Sequence, residues 1–303
     1  MTRWSGILTN CPKTIKLVGS GKNRAGFSDS PYRDLYVYHI KGHLAPGTNL
    51  PPNGFIGNWQ EDEFSFLFFS RPSKKHVQRL LTAQPQLRLL DNFTMTYDDW
   101  QGGKCDPIRI GRFLIAPPWA KIWYNTKTDH KTLPIVLDPG VVFGTGTHAT
   151  TFGCLEALEL VFGKESLQSA LDLGTGTGLL ALAAARLGCK KTIAVDINFL
   201  AAKTAHHNVR INHMENRVAV VQGDAEDIIE LRADLVIANI HYEVMKGLIS
   251  SESFFNKKWF ILSGLMGDQA KAVASKLALR SAGIIKKWTH DDIWHTLLGS
   301  TYC

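Results

Sequence analysis

The sequence predicts an α/β protein in which helices cover both faces of a parallel sheet, with a smaller α+β domain before it. From residue 133 onward, short apolar segments alternate with helical ones, as in parallel sheets joined by crossover helices. Before residue 100, strand-like segments surround one helical segment. Because a chain of 303 residues has room for two domains, we assign the two patterns to separate domains.

The composition narrows the class of protein. Five scattered cysteines without C-x-x-C spacing predict neither a disulfide framework nor a zinc site, and no other metal cluster is visible. No run of about 18 apolar residues is present and the first residues lack the apolar core of a signal peptide, so we expect a cytoplasmic protein without a membrane partner. The net charge of +7 permits a nucleic-acid partner but does not require one.

Residues 1–100 form the smaller domain in this division, and we expect it to select the substrate. Alternating apolar residues predict strands at 34–42, 63–70 and 87–100. One apolar face with helical spacing predicts a helix over 73–84, capped by Ser73. Residues 101–132 are predicted to be a linker that contains one short strand.

Residues 133–303 form the larger domain, and its elements alternate in type. Strands are predicted at 170–174, 191–198, 217–225, 233–240 and 258–264. Helices are predicted at 148–162, 178–188, 199–212, 242–250 and 267–282. The last segment, 284–300, predicts a hairpin of two strands without a helix between them.

The GTGTG loop, residues 174–178, follows an apolar strand and precedes an alanine-rich helix. Gly174 allows a tight turn, Gly176 lets a ligand approach bare backbone, and Gly178 lets the helix start close to the strand. A ligand is therefore expected at the carboxyl end of the sheet, near the start of the helix. Leu179 stands where the dinucleotide fingerprint G-x-G-x-x-G needs its third glycine, which disfavours a nicotinamide oxidoreductase.

The pattern D-x-G-x-G-x-G, from Asp172 to Gly178, resembles motif I of the class I methyltransferases. That resemblance implies a Rossmann-like, seven-stranded sheet and S-adenosyl-L-methionine as cofactor, held by Asp172 and the loop glycines. It also implies that Asp196 accepts bonds from both ribose hydroxyls and that Asp224 binds the adenine amino group. The alternatives are a helix N-cap for Asp196 and a turn residue for Asp224.

A second glycine loop, the GTGTH loop at residues 144–148, lies about 30 residues earlier, within D-P-G-x-x-F-G-T-G-T-H-x-T-T. With "ANI" at 238–240 and "LSGLMGDQA" at 262–270, this stretch resembles the PrmA family, over roughly residues 88–303. The family methylates the ribosomal stalk-base protein L-eleven. The resemblance therefore implies a methyltransferase that acts on lysine or N-terminal amines of that protein.

The same resemblance assigns roles around the GTGTH loop, which would close over the cofactor. Thr151 matches a cofactor-binding threonine, and Asn239 matches a cofactor-binding or active-site asparagine. Phe143 would form an apolar wall beside the sulfonium. His148 would contact cofactor or substrate, or serve only the start of the helix, for which Thr147 is the predicted N-cap.

Alternatives to this function remain open on the sequence. His241 and Tyr242 depart from the family pattern and partly match the N-P-P-Y motif of enzymes that methylate nucleobases. With the unmatched N-terminal residues, they favour a methyltransferase of RNA or of a small metabolite. A non-catalytic, cofactor-binding partner protein is an alternative of another class.

Overall fold

The computed structural model describes residues 16–17, 30–51, 53–122, 131–280 and 282–301. Of the predicted linker, residues 101–132, the part 123–130 lies outside the described residues. The chain divides into two compact units, Asn23–Asp106 on the one hand and Met1–Lys22 with Pro107–Cys303 on the other.

The unit Asn23–Asp106 contains an antiparallel sheet with strand order β3-β4-β2-β5. Its strands are β2 (Asp34–Lys41), β3 (Phe55–Glu61), β4 (Phe64–Phe69) and β5 (Arg88–Thr96). Helix α1 (Lys74–Ala83) buries Val77 and Leu80 against one face of this sheet. The sequence predicted this α+β arrangement but missed strand β3.

Two local predictions in this unit were wrong. The third predicted strand ends at Thr96 instead of residue 100, and helix α2 (Tyr97–Gln101) follows. A capping box starts that helix: Asp99 N donates to Thr96 Oγ1 (3.1 Å) and Thr96 N donates to Asp99 Oδ2 (3.3 Å). Ser73 occupies the N-cap position of α1 without capping it, because its hydroxyl donates to the carbonyl of Arg71 instead.

The strands of the main sheet in the other unit are β1 (Lys16–Leu17), β9 (Ser169–Leu173), β10 (Lys191–Asp196), β11 (Val218–Gln222), β12 (Leu235–Asn239), β13 (Trp259–Met266), β14 (Gly283–His290) and β15 (Trp294–Ser300). Their order in the sheet is β1-β11-β10-β9-β12-β13-β15-β14. The five strands from β9 to β13 are parallel, and the terminal hairpin places β15 antiparallel to β13. These seven strands confirm the predicted sheet, and the short strand β1 adds an eighth at its edge.

Helices cover both faces of the sheet. They are α3 (Ala149–Lys164), α4 (Leu179–Arg186), α5 (Phe199–Ile211), α6 (Ala225–Ile228), α7 (Tyr242–Leu248) and α8 (Gly267–Ala278), of which α4 to α7 connect the parallel strands. The central strands are buried along their length, which is typical of a parallel sheet covered on both sides. Among the described residues, no helix is long and apolar enough to cross a membrane.

Residues 108–116, which the sequence places in a linker, belong to the packed core of this unit. They form β6 (Ile108–Ile110) and β7 (Phe113–Ala116), which join β8 (Leu133–Val136) in a small sheet. Phe113 and Ile115 are buried in the same core cluster as helix α3. Residues 137–143 connect strand β8 to the GTGTH loop.

Candidate functional site

The GTGTG loop lies at the carboxyl end of the sheet, between β9 and α4. Strand β9 has β10 on one side and β12 on the other, so the order of the strands reverses at this point. Such a switch point is where doubly wound sheets bind their ligands. Gly174, Gly176 and Gly178 have φ of 69°, 55° and 84°, which L-residues rarely adopt, and this explains the three glycines.

Each glycine of the loop also permits a close approach. A β-carbon on Gly174 would lie 2.1 Å from Ile240 Cγ2. One on Gly178 would lie 3.1 Å from Ala205 Cβ, so this glycine brings α4 close to helix α5, not to the strand as predicted. One on Gly176 would lie 2.5 Å from the carbonyl oxygen of Phe143, which belongs to the segment that leads into the GTGTH loop.

The GTGTH loop is in direct contact with the GTGTG loop. Thr177 N donates to the carbonyl of Phe143 (3.2 Å), and Thr177 Oγ1 donates to the carbonyl of Gly144 (2.6 Å). Gly144 and Gly146 have φ of 106° and 93°, so this path of the backbone requires glycine at both positions. The two loops therefore form one structure.

Helix α3 begins one residue later than predicted, because His148 is its N-cap in place of Thr147. His148 Nδ1 accepts from Thr150 N (3.3 Å) and lies 2.8 Å from Thr150 Oγ1. The imidazole also makes edge contacts with Phe143 (5.4 Å between centroids) and Trp294 (5.2 Å). Burial lowers the pKa of His148, although nearby Asp291 opposes the shift, so the neutral ring that this cap needs is favoured.

Asp196 ends strand β10 and faces the GTGTG loop. Its Oδ2 accepts from Gly176 N (3.0 Å) and its Oδ1 accepts from Asn198 N (2.9 Å). Burial raises the pKa of this carboxyl group. The N-cap of α5 is Asn198, whose Oδ1 accepts from Leu200 N, so the N-cap alternative for Asp196 was wrong. Each carboxylate oxygen keeps a lone pair for a further donor.

Asp172 lies beneath the loop and is almost fully buried, at 1% exposure. Its Oδ2 accepts from Thr175 Oγ1 and from Ala181 N, so one carboxylate oxygen holds both the loop and the first turn of α4. Burial raises its pKa to about 7. This position favours support of the loop over direct contact with a ligand.

Three further predicted residues surround the same end of the sheet. Asp224 is exposed, caps α6 and accepts from Glu226 N (2.9 Å). Asn239 ends β12 and pairs in register with Ser263 of β13. Thr151 lies in the first turn of α3 and is buried, and its hydroxyl has no hydrogen-bond partner among the described residues.

The two residues that depart from the family pattern lie at the start of α7. His241 is exposed at the N-cap position and makes no side-chain cap bond. The ring of Tyr242 packs against the core cluster of that face, and Lys246 Nζ lies 5.1 Å from its centroid. These contacts favour a structural role for Tyr242.

Sequence reasoning missed Thr177 and Trp294. Thr177 stands between Gly176 and Gly178, and the glycines alone were enough to predict the loop. Nothing in the sequence therefore indicated a role for the hydroxyl of Thr177. Trp294 lies about 145 residues after His148 in the chain, and only the hairpin brings the two rings together.

The parallel sheet with its antiparallel hairpin, the glycine loop at the switch point and the carboxylate at the end of β10 define the fold of a class I methyltransferase, with a cofactor of the S-adenosylmethionine type. The family model "Ribosomal protein L11 methyltransferase (PrmA)" matches residues 74–301. The chain belongs to that family.

Individual relatives agree with this membership. A ribosomal protein L11 methyltransferase from Desulfitobacterium hafniense is 34% identical over 78% of this chain and 82% of its own length. One from Alkaliphilus oremlandii is 39% identical over 59% of this chain and 56% of its own length. The crystal structure of a ribosomal protein L11 methylase from Lactobacillus delbrueckii subsp. bulgaricus has 27% identity and a TM-score of 0.56, covering 64% of this chain and 97% of that one.

Proposed function

We propose that this chain transfers methyl groups from S-adenosyl-L-methionine to lysine or N-terminal amines of ribosomal protein L11. The observation that carries the proposal is the contact between the two glycine loops through Thr177, beside the carboxylate of Asp196. This contact joins the GTGTH loop to the GTGTG loop, against which the nucleoside part of the cofactor would bind. Because the acceptor is a ribosomal protein, the proposal places the enzyme in the cytoplasm.

Several side chains fit the cofactor. Thr151 offers a buried hydroxyl without a partner among the residues that the structure describes, and such a group is unfavourable until a ligand satisfies it. Asp196 would accept from the ribose hydroxyls, and Asp224 from the adenine amino group. Gly174, Gly176 and Gly178 would form the loop against which the cofactor lies, while Asp172 supports that loop from below.

When bound, S-adenosylmethionine supplies an electrophilic methyl group on a sulfonium, so the chain has to bind and orient the reactants. Phe143 is 56% exposed and edge-on to His148, which suits an apolar wall beside the sulfonium. The carboxamide of Asn239, at the end of β12, would orient the amine. His148 would contact the acceptor or support the loop through its cap bond.

The acceptor amine has to lose its proton before it can attack. An ordinary lysine has a pKa of about 10.4, and an apolar surrounding disfavours its charged form. The rings of Phe143, His148 and Trp294 supply such a surrounding without a dedicated base.

The proposal is tested with purified L11 and S-adenosylmethionine that carries a labelled methyl group. We expect label on lysines or on the N-terminus of L11 by mass spectrometry. Label on RNA or on a small metabolite, with L11 unlabelled, would keep the cofactor assignment and replace the acceptor. Binding of the cofactor without transfer to any acceptor in a cell extract would favour the non-catalytic alternative.

A further inference from the structure

Two buried asparagines, Asn208 within helix α5 and Asn212 at its C-cap, bind the backbone that leads into the GTGTH loop. Asn212 Oδ1 accepts from Val136 N (3.0 Å) and its Nδ2 donates to Val136 O (2.6 Å). Asn208 makes the same pair of bonds to Asp138: its Oδ1 accepts from Asp138 N (2.8 Å) and its Nδ2 donates to Asp138 O (2.8 Å). Each carboxamide therefore closes a pair of hydrogen bonds with one backbone residue.

The spacing of the two elements makes this possible. Asn208 and Asn212 are four residues apart, about 6 Å along a helix. Val136 and Asp138 are two residues apart, about 6.6 Å along an extended chain. The two carboxamides thus supply the hydrogen bonds that a neighbouring strand would supply, and they fix the register of this segment against α5.

Asn208 makes one contact that Asn212 does not. Its Nδ2 also donates to the carbonyl of Thr177 (2.9 Å), in the GTGTG loop. The second Nδ2 bond of Asn212 goes to the carbonyl of Asn208 (2.8 Å), within the helix. A single amide group on Asn208 therefore holds Asp138 and Thr177 together.

We propose that Asn208 is a positioning residue for methyl transfer, which fixes the GTGTH loop over the cofactor. Asn208 anchors the segment at Asp138, and Thr177 anchors it again at Phe143 and Gly144. Because Asn208 also holds the carbonyl of Thr177, both anchors depend on one side chain. The inference rests on the proposed function and adds to it a residue outside both glycine loops.

Loss of this side chain leaves the buried carbonyl of Thr177 and the half-buried carbonyl of Asp138 without their donor, and Asp138 N without its acceptor. The segment 136–148 then keeps the bonds of Asn212 at Val136 and loses its register nearer the loop. Since methyl transfer depends on the alignment of the reacting groups, a small displacement of this segment is expected to slow it strongly.

The test compares Asn208→Ala with Asn212→Ala in the full chain. Both variants remove a buried carboxamide and a pair of bonds to the backbone, so both should lower the melting temperature. We expect only Asn208→Ala to weaken S-adenosylhomocysteine binding, by about tenfold or more in calorimetry, and to lower kcat at saturating cofactor. Amide exchange should accelerate at residues 138–147 in that variant alone.

Equal losses of melting temperature with unchanged cofactor affinity and kcat in both variants would overturn the inference. If Asn208→Ala does not fold, Thr177→Val removes the hydroxyl bond to Gly144 with little change in volume, and the same loss of affinity and kcat is expected; normal values would again overturn it. Failure of the wild-type chain to bind S-adenosylhomocysteine would instead contradict the proposed function.

Discussion

The hydroxyl of Thr177 donates a 2.6 Å hydrogen bond to the carbonyl of Gly144, and this bond joins two loops that are 33 residues apart in the chain. The loops look like copies of one motif in the sequence. Their backbones have different roles. The GTGTG loop connects a strand to a helix, while the GTGTH loop packs against the GTGTG loop.

Asp196→Ala is expected to weaken cofactor binding by about 2 kcal/mol or more, because bound ribose hydroxyls would lose their acceptor. The same change removes the bond from Asp196 Oδ2 to Gly176 N, so the loop loses a support as well. Calorimetric titration with S-adenosylhomocysteine measures the effect. Asp196→Asn, which keeps the shape and one acceptor oxygen, should lie between wild type and Asp196→Ala. Unchanged affinity in the alanine variant would refute the assignment.

Gly176→Ala is expected to abolish tight cofactor binding, because the new β-carbon would lie 2.5 Å from the carbonyl oxygen of Phe143 and push the GTGTH segment away. Gly188→Ala is the matched control. Gly188 also has a positive φ, of 112°, but a β-carbon there meets nothing within 4 Å. Both variants should lose about 1–2 kcal/mol of stability from backbone strain. If both bind cofactor like the wild type, the contact with Phe143 has no role in binding.

Asp172→Asn is expected to change how stability depends on pH. In the folded chain burial raises the pKa of Asp172 from 3.8 to about 7. Between these values the folded chain holds a proton that the unfolded chain has released, so the free energy of unfolding falls as pH rises from about 4 to 7.

The asparagine variant keeps an acceptor oxygen for Thr175 and Ala181 but cannot titrate. Its decrease across this range should be smaller by roughly 3 kcal/mol. Urea unfolding at pH 4, 5.5 and 7 measures this, and parallel profiles would contradict it.

Much of the larger unit was predictable because its signals are local. Gly174 directly follows an apolar strand and Asp196 ends the next one, and parallel strands bring their carboxyl ends to one edge of the sheet. The neighbour of Gly178 was not predictable, since which helix packs there depends on the crossovers of the whole sheet. Asn208 gave no signal, because asparagine within a helix is also common as a solvated residue. Composition also does not decide whether Thr147 or His148 is the N-cap of α3. His148 takes that position because its ring nitrogen accepts a hydrogen bond from Thr150 N.

The last prediction concerns the unit Asn23–Asp106, most of which lies before the residues that the family model matches. This unit buries its own cluster, which includes Tyr38, Phe69 and Leu80. Residues 107–303 contain the two clusters that cover the main sheet, so a chain that begins at residue 107 keeps its core; of the residues that the structure describes in this unit, it loses the short edge strand β1.

We expect the chain 107–303 to bind S-adenosylhomocysteine within about threefold of the full chain, since the proposed cofactor residues all follow residue 107. It should no longer methylate L11 at a measurable rate, because the proposed recognition domain that brings the acceptor close is missing. A short lysine peptide at high concentration is the control acceptor, which both chains should methylate slowly. Transfer to L11 that survives the truncation would place recognition of the acceptor within residues 107–303 and would contradict a substrate-selecting role for the first unit.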